Sequence, residues 1–145
     1  MFNGAVAEYF GVKNVPVADR KNFFDIGYDI TLTSILMVDR IEDLDAFAIK
    51  VRNHFMQWER CRSDLISVGN HQFFEKVGAE NMVEILEEMT EEEGLALMER
   101  EQSAPFKEGE AHHKVYLIPS GDKLMILSKT DHTICDGLSI FHMWQ

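Results

Sequence analysis

The sequence predicts an α+β domain in which a mixed or antiparallel sheet is flanked by helices. Short segments rich in β-branched and alternating apolar residues recur along the chain, and two longer segments repeat apolar residues at helical spacing. Of the 145 residues, 46% are hydrophobic and 10% aromatic, which is enough to bury one core. We therefore expect residues 1–145 to form a single domain, with the weakest pattern in residues 1–29.

The first clear strand and helix follow each other between residues 30 and 60. Residues 30–38 mix β-branched residues with a continuous apolar run, which predicts a well-buried strand. Residues 44–60 carry apolar side chains at helical spacing and charged ones opposite, which predicts an amphipathic helix packed on a sheet. We interpret His54, at the midpoint of this helix, as a residue of its polar face or boundary and not as a ligand.

The next segments predict a hairpin. Residues 62–68 and 71–77 alternate imperfectly between apolar and polar side chains on either side of Gly69-Asn70, which favours a turn. The two strands should therefore be neighbours. Residues 82–88 fit either a strand or the first turns of a helix.

A second helix is predicted from about Glu91 to Gln102. Thr90 is followed three residues later by Glu93, which is the sequence form of a capping box. The acidic side chains of the first turn lie where the positive end of the helix dipole favours them. We interpret these glutamates as a solvated cluster and not as metal ligands.

Two further strands are predicted near the end of the chain. Residues 113–118 and 123–131 are strand-like, and the Ser-Gly-Asp turn at 120–122 favours an antiparallel hairpin. His112 and His113 invite a metal interpretation, but adjacent residues of a strand point to opposite faces and cannot chelate one ion. Neither Cys nor Glu stands at a spacing that would complete a zinc site, so no metal is expected.

The strand 123–131 leads into the segment that carries the candidate chemistry. It is followed by His132, three spacers, Asp136 and Gly137, and a second apolar segment begins at Leu138. His132 is a candidate general base, because the ordinary pKa of an imidazole lies close to neutrality. Asp136 is too constrained to lie beside the imidazole as a triad acid, so we interpret it as a structural charge of the loop. Gly137 permits a backbone conformation that a side chain forbids.

Residues 131–137, Asp-His-Thr-Ile-Cys-Asp-Gly, resemble the His-His-x-x-x-Asp-Gly motif of the chloramphenicol acetyltransferase-like acyltransferases, and most closely the condensation domains of nonribosomal peptide synthetases. Residues 104–107, Ala-Pro-Phe-Lys, resemble the Pro-Phe segment that precedes the motif in condensation domains. Residues 57–65 are similar to the family's Arg-His-Glu-x-Leu-Arg-Thr-x-Phe segment and match it at Glu59 and Arg62.

This resemblance covers about residues 30–145 and implies the N-terminal half of a two-lobed fold. In that fold the substrate tunnel runs between two similar lobes, and the His loop lies at their junction. The resemblance also favours a strand over residues 82–88. In the family the second His of the motif is catalytic, which assigns that role to His132. The first His is Asp131 here, and a carboxylate beside His132 could raise the pKa of the imidazole and change the packing of the loop.

The resemblance implies acyl transfer from a pantetheine thioester, on a carrier protein or on coenzyme A, to an amine or hydroxyl. His132 is expected to act as general base, with no bound cofactor. Asp136 is expected to be ion-paired, with Arg62 as its candidate partner, and Gly137 could donate an amide to the oxyanion. The alternative is a non-catalytic binding module or a truncated inactive lobe, in which Asp131 marks lost catalysis and His132 is an inert histidine at a strand end.

Charge and cysteine content restrict the partners and the compartment. The net charge of −11 argues against nonspecific binding to nucleic acid or to an anionic membrane, since both favour clustered Lys and Arg. We therefore expect an acyl carrier protein or acyl-CoA, together with a second lobe or a second copy of the chain, as partners. Two cysteines, Cys61 and Cys135, form no disulfide framework and indicate a cytoplasmic protein. We interpret Cys135 as a buried spacer and not as a nucleophile.

Overall fold

The computed structural model describes residues 12–14, 31–68, 71–135 and 137–145. The elements in chain order are β1 (Val12–Asn14), β2 (Thr31–Asp39), α1 (Leu44–Phe55), a 3-10 turn (Glu59–Arg62), β3 (Ser63–Val68), β4 (His71–Lys76), β5 (Val83–Ile85), α2 (Glu91–Ser103), β6 (His113–Ser120), β7 (Lys123–Asp131) and α3 (Gly137–Met143). The predicted α+β class is confirmed. Most of residues 1–29, where the sequence pattern is weakest, lies outside the described ranges.

The strands form two sheets. The larger one has the order β2-β7-β6-β5 and is mixed, because β5 runs parallel to β6 whereas the other neighbours are antiparallel. The smaller one has the order β1-β4-β3 and is antiparallel. The candidate catalytic segment follows β7, which is a central strand of the larger sheet.

Both predicted hairpins are confirmed. β3 pairs with β4, although the turn residues Gly69 and Asn70 lie outside the described ranges. β6 pairs with β7 from His113↔Thr130 to Ser120↔Lys123. The tight turn of this second hairpin contains Gly121 at φ 58°, a left-handed conformation that glycine adopts without a steric penalty. The strand that precedes His132 is therefore held in register over its whole length.

Residues 30–38 were predicted to form a well-buried strand, and the predicted burial is wrong. The strand exists as β2, but it lies at one end of the larger sheet and pairs only with β7 among the described strands. Leu36 and Met37 are consequently 49% and 41% exposed. An apolar run predicts an extended segment, but it does not reveal whether neighbours cover both of its sides.

Several predicted boundaries shift. The predicted helix 44–60 ends at Phe55, and the chain then forms the short 3-10 turn before β3. The predicted strand 82–88 is reduced to the three residues of β5. The capping box of α2 is confirmed: the Thr90 hydroxyl accepts from the backbone N–H of Glu93 at 3.2 Å, and the Glu93 carboxylate accepts from the backbone N–H of Thr90 at 2.8 Å.

The larger sheet is covered on both faces. On one face α1 packs through Phe55 onto apolar side chains that include Val115 and Leu117. On the other face α2 packs through Leu97 onto a second cluster that includes Met125. None of the helices in the described ranges is long and apolar enough to cross a lipid bilayer.

Close contact between α2 and the sheet depends on Gly94. A Cβ atom at this position would lie 2.6 Å from the sulfur atom of Met125, well inside van der Waals contact. Gly94 is buried on the face of α2 that also carries Leu97. The absence of a side chain therefore lets the first turn of the helix lie directly on β7.

Candidate active site

His132 is the first residue after β7 and is exposed. It lines an open cleft of ≈ 1040 Å³ together with residues of the 3-10 turn, the turn after β7 and α3. Trp58, Arg60, Cys135 and His142 are among the lining residues. The sequence-predicted candidate base is thus presented to a cavity large enough for a small-molecule substrate.

Asp131 and Thr133, the two neighbours of His132, are both buried. The Oδ1 atom of Asp131 accepts from the backbone N–H of Thr133 at 2.9 Å and from its hydroxyl at 2.7 Å. The backbone carbonyl of Asp131 also accepts from the N–H of Ile134 at 2.9 Å. These contacts close a tight turn at His132. Its ring is therefore exposed, whereas the residues on either side of it, Asp131 and Thr133, are buried.

The carboxylate of Asp131 is directed into the domain, towards His112. The Nδ1 atom of His112 lies 3.3 Å from Oδ2 of Asp131, and its Nε2 atom lies 2.8 Å from Oδ1 of Asp64. All three residues are buried, at 8% exposure or less. Phe106 stacks on the imidazole with ring centroids 4.6 Å apart. We define Asp64, His112 and Asp131 as the carboxylate–imidazole cluster.

Sequence reasoning missed the pairing in this cluster. It identified Asp131 as a departure from the motif and His112 as half of a His-His pair, but it did not connect them, and it assigned no role to Asp64. A signal was present, because a buried carboxylate that replaces a histidine needs a donor or a cation beside it. Which residue fulfils that need depends on the pairing of β6 with β7.

His113 lies on the opposite face from His112, as the strand geometry predicts. Its ring is fully buried against Phe55, with ring centroids 4.3 Å apart, and its Nδ1 lies 2.8 Å from the hydroxyl of Thr130. Burial disfavours the charged imidazolium and lowers the pKa of His113 to about 3. His113 is therefore a neutral core residue that does not face the cleft.

His54 supports the cleft from α1. Its Nε2 atom lies 2.5 Å from the backbone carbonyl of Met143, and its ring meets Trp58 edge-on, with centroids 5.0 Å apart. It is half-buried, which confirms the predicted boundary position. His54 thus joins the end of α1 to the end of α3 through Met143, which lines the cleft.

The remaining motif residues are only partly placed. Asp136 lies outside the described residues, and Gly137 begins α3. The Nε atom of Arg62 is buried and has no hydrogen-bond partner within the described part of the chain. The ion pair between Asp136 and Arg62 therefore stays a prediction, as does the oxyanion role of the Gly137 amide.

Both cysteines lie beside the cleft, and they are not joined in a disulfide. Burial, with a smaller contribution from Cys135, raises the pKa of the Cys61 thiol to about 12, so that Cys61 is a protonated, inert thiol. Cys135 is half-buried, not fully buried as its interpretation as a spacer requires. Its side chain still packs against the core cluster on the α1 side of the sheet.

No protein-family model matches the sequence, and no curated protein matches it significantly. Solved structures do match. The starter condensation domain of rhizomide synthetase RzmA, in a variant complexed with C8-CoA, superimposes with a TM-score of 0.79 over 98% of this chain and 35% of that chain, at 11% identity. The tallysomycin biosynthesis protein TlmII gives a TM-score of 0.74 over 92% of this chain and 35% of that chain, at 14% identity.

A third match is the wax ester synthase/diacylglycerol acyltransferase from Marinobacter aquaeolei VT8, with a TM-score of 0.67 over 91% of this chain and 37% of that chain, at 15% identity. The described chain therefore shares its fold with about a third of each of these structures. One of these structures is a condensation domain, so the fold is one that occurs in such a domain. The chain spans about a third of the length of the structures it matches.

Proposed function

We propose that this chain is the lobe of an acyltransferase that carries the catalytic base, and that His132 is this base. The observation that carries the proposal is the contrast between His132 and its neighbours. Asp131 and Thr133 are buried and bonded, whereas the His132 ring is exposed to the cleft and makes no hydrogen bond within the described part of the chain. A free ring nitrogen at a rigidly held position is what a general base requires.

In the proposed reaction, an amine or hydroxyl acceptor attacks a thioester carbonyl with the lone pair of its nitrogen or oxygen. The neutral imidazole of His132 takes the proton that this atom loses. A C–N or C–O bond forms, the C–S bond breaks, and the imidazolium returns the proton to the leaving thiolate. The backbone N–H of Gly137, at the start of α3, would donate to the oxyanion. Asp136 would hold the loop through an ion pair with Arg62 and would not touch the reacting atoms.

The acyl donor in this proposal is a pantetheine thioester, carried by an acyl carrier protein or by coenzyme A. The fold supports this class, because one matching structure contains C8-CoA and another is an acyltransferase. We place the protein in the cytoplasm, since its two cysteines are not joined in a disulfide.

A second lobe would complete the site. The chain spans about a third of the matched structures, and Leu138 and Phe141 on α3 are 67% and 61% exposed. These two side chains stand one turn apart on the helix that borders the cleft. We propose that the second lobe covers them and closes the cleft into a channel.

The test is His132→Ala in the full-length protein that contains both lobes. We expect acyl transfer to fall by about two to four orders of magnitude, which is what general base catalysis contributes, with an unchanged circular dichroism spectrum. His142→Ala is the matched control, because it removes another imidazole from the same cleft, one whose Nδ1 already lies 3.3 Å from the side-chain oxygen of Gln145. It should lose far less activity.

Undiminished transfer by His132→Ala would overturn the proposal. The chain would then be better described as a non-catalytic binding module of the same fold. The presence of Asp131 does not by itself favour that alternative, because its carboxylate anchors the turn beneath His132.

A further inference from the structure

We propose that His112 is a positioning residue for the His132 loop: a doubly hydrogen-bonded imidazolium that fixes Asp131 and, through it, the turn that presents His132. The inference deepens the proposed function, on which its meaning for catalysis rests. It assigns to the carboxylate–imidazole cluster the role of holding the turn that presents His132, a role that the motif residues alone do not fulfil.

The charge state of His112 follows from its neighbours. Its two ring nitrogens lie 2.8 Å from a carboxylate oxygen of Asp64 and 3.3 Å from one of Asp131. A neutral imidazole has one N–H, so one of these contacts would set a lone pair against a carboxylate. The imidazolium donates to both and compensates two buried negative charges, whose separate burial would be costly.

Other groups around the ring fit a fixed, cationic His112. Asp64 is itself held by the backbone N–H groups of Leu65 and Gly109, both at 2.7 Å. Phe106 stacks on the imidazole with an interplanar angle of 15°, which fixes the plane of the ring.

One more cation and its partner stand behind Phe106. The ammonium of Lys129 lies 4.7 Å from the centroid of the Phe106 ring and is paired with Glu101 at 3.0 Å. Among the groups named here, His112 and Lys129 are the cations and Asp64, Asp131 and Glu101 are the carboxylates. The imidazolium thus keeps the buried charges close to balance.

His112 is also tied into the backbone at the base of the loop. Its N–H donates to the carbonyl of Ser63 at 2.9 Å, and its carbonyl accepts from the N–H of Asp131 at 3.0 Å. Side chain and backbone of one residue therefore join the start of β3 to the end of β7. Since Asp131 accepts twice from Thr133, any movement of His112 is transmitted to the turn that carries His132.

This arrangement explains the departure from the His-His motif. The carboxylate of Asp131 serves as partner of His112 and as acceptor for Thr133 at the same time, and an imidazole cannot accept twice at one atom. Asp131→His, which would restore the family's pair, should therefore loosen the turn.

The test measures hydrogen exchange by NMR in this chain, at the amides of Thr133 and Ile134. We expect His112→Gln to lower protection at these two amides by about tenfold or more, as the loss of a charged hydrogen bond implies. Amides in the middle of the β6–β7 hairpin should change much less. Adding Asp131→Asn to His112→Gln should restore part of the protection, because it removes a buried negative charge that the imidazolium no longer offsets.

His142→Gln serves as the control, since it alters an exposed histidine and should leave both amides unchanged. If His112→Gln does not fold, Phe106→Leu takes its place. It keeps every charged group and removes the stacking on His112 together with the ring contact of Lys129. It should lower protection at the same two amides. Unchanged exchange at Thr133 and Ile134, or an equal loss at all amides, would overturn the proposal. Neither readout requires acyl transfer, so a failure of the proposed function would be recognised separately.

Discussion

Lowering the pH from 7 to 5 should reduce the free energy of unfolding by about 2 kcal/mol through His113 alone. The side chain is fully buried, and burial lowers its pKa from 6.5 to about 3. Between these two values the unfolded chain binds a proton that the folded chain does not. Stability is therefore lost as the pH falls below the unfolded value, and the ratio of unfolded to folded chains rises roughly 25-fold.

The assay is urea unfolding at pH 7 and at pH 5, carried out on the unchanged chain and on the His113→Asn variant. An Asn amide reaches the hydroxyl of Thr130 from the position of Nδ1 but carries no titrating group, so this variant should be less stable at pH 7 yet lose about 2 kcal/mol less between pH 7 and 5. His142→Asn changes an exposed histidine and is the control; it should lose as much unfolding free energy between pH 7 and 5 as the unchanged chain. Equal pH dependence of the unchanged chain and His113→Asn would refute the reasoning.

Three further predictions follow from features of the fold and the motif. Asp136→Ala should lower the free energy of unfolding by about 3 kcal/mol through loss of the proposed ion pair with Arg62, whose Nε atom is buried; an unchanged urea midpoint would contradict the ion pair. Thr90→Ala removes one half of the capping box and should cost about 1 kcal/mol in the same assay. Because Leu138 and Phe141 are exposed, this chain by itself should self-associate in sedimentation at high micromolar concentration, and a strictly monomeric species would count against this.

Local sequence signals predicted the parts of the fold that depend on local structure. The capping box of α2 and the β6–β7 hairpin require only neighbouring residues, and both are present. Burial was predicted less well, because whether β2 is central or terminal depends on which other strands pair with it. The apolar run of residues 30–38 contains no such information.

The candidate site was also predicted only where it depends on local sequence. The position of His132 at the end of a strand followed from the sequence, and the structure places it in a cleft. The carboxylate–imidazole cluster could not be predicted, since His112 contacts Asp131 only through the register of two strands and contacts Asp64 through the packing of two sheets. The catalytic role of His132 and the ion pair of Asp136 stay predictions.

The contact between Gly94 and Met125 limits how this protein can change in evolution. Alanine at position 94 would favour the isolated helix by about 1 kcal/mol, yet its methyl group would collide with a thioether that is wholly buried. Displacing α2 would also move Glu101, two turns further along, away from Lys129. A larger residue at position 94 therefore requires either a shift of the flexible Met125 side chain within the core or a shorter residue at position 125, so that the two positions are expected to vary as a pair.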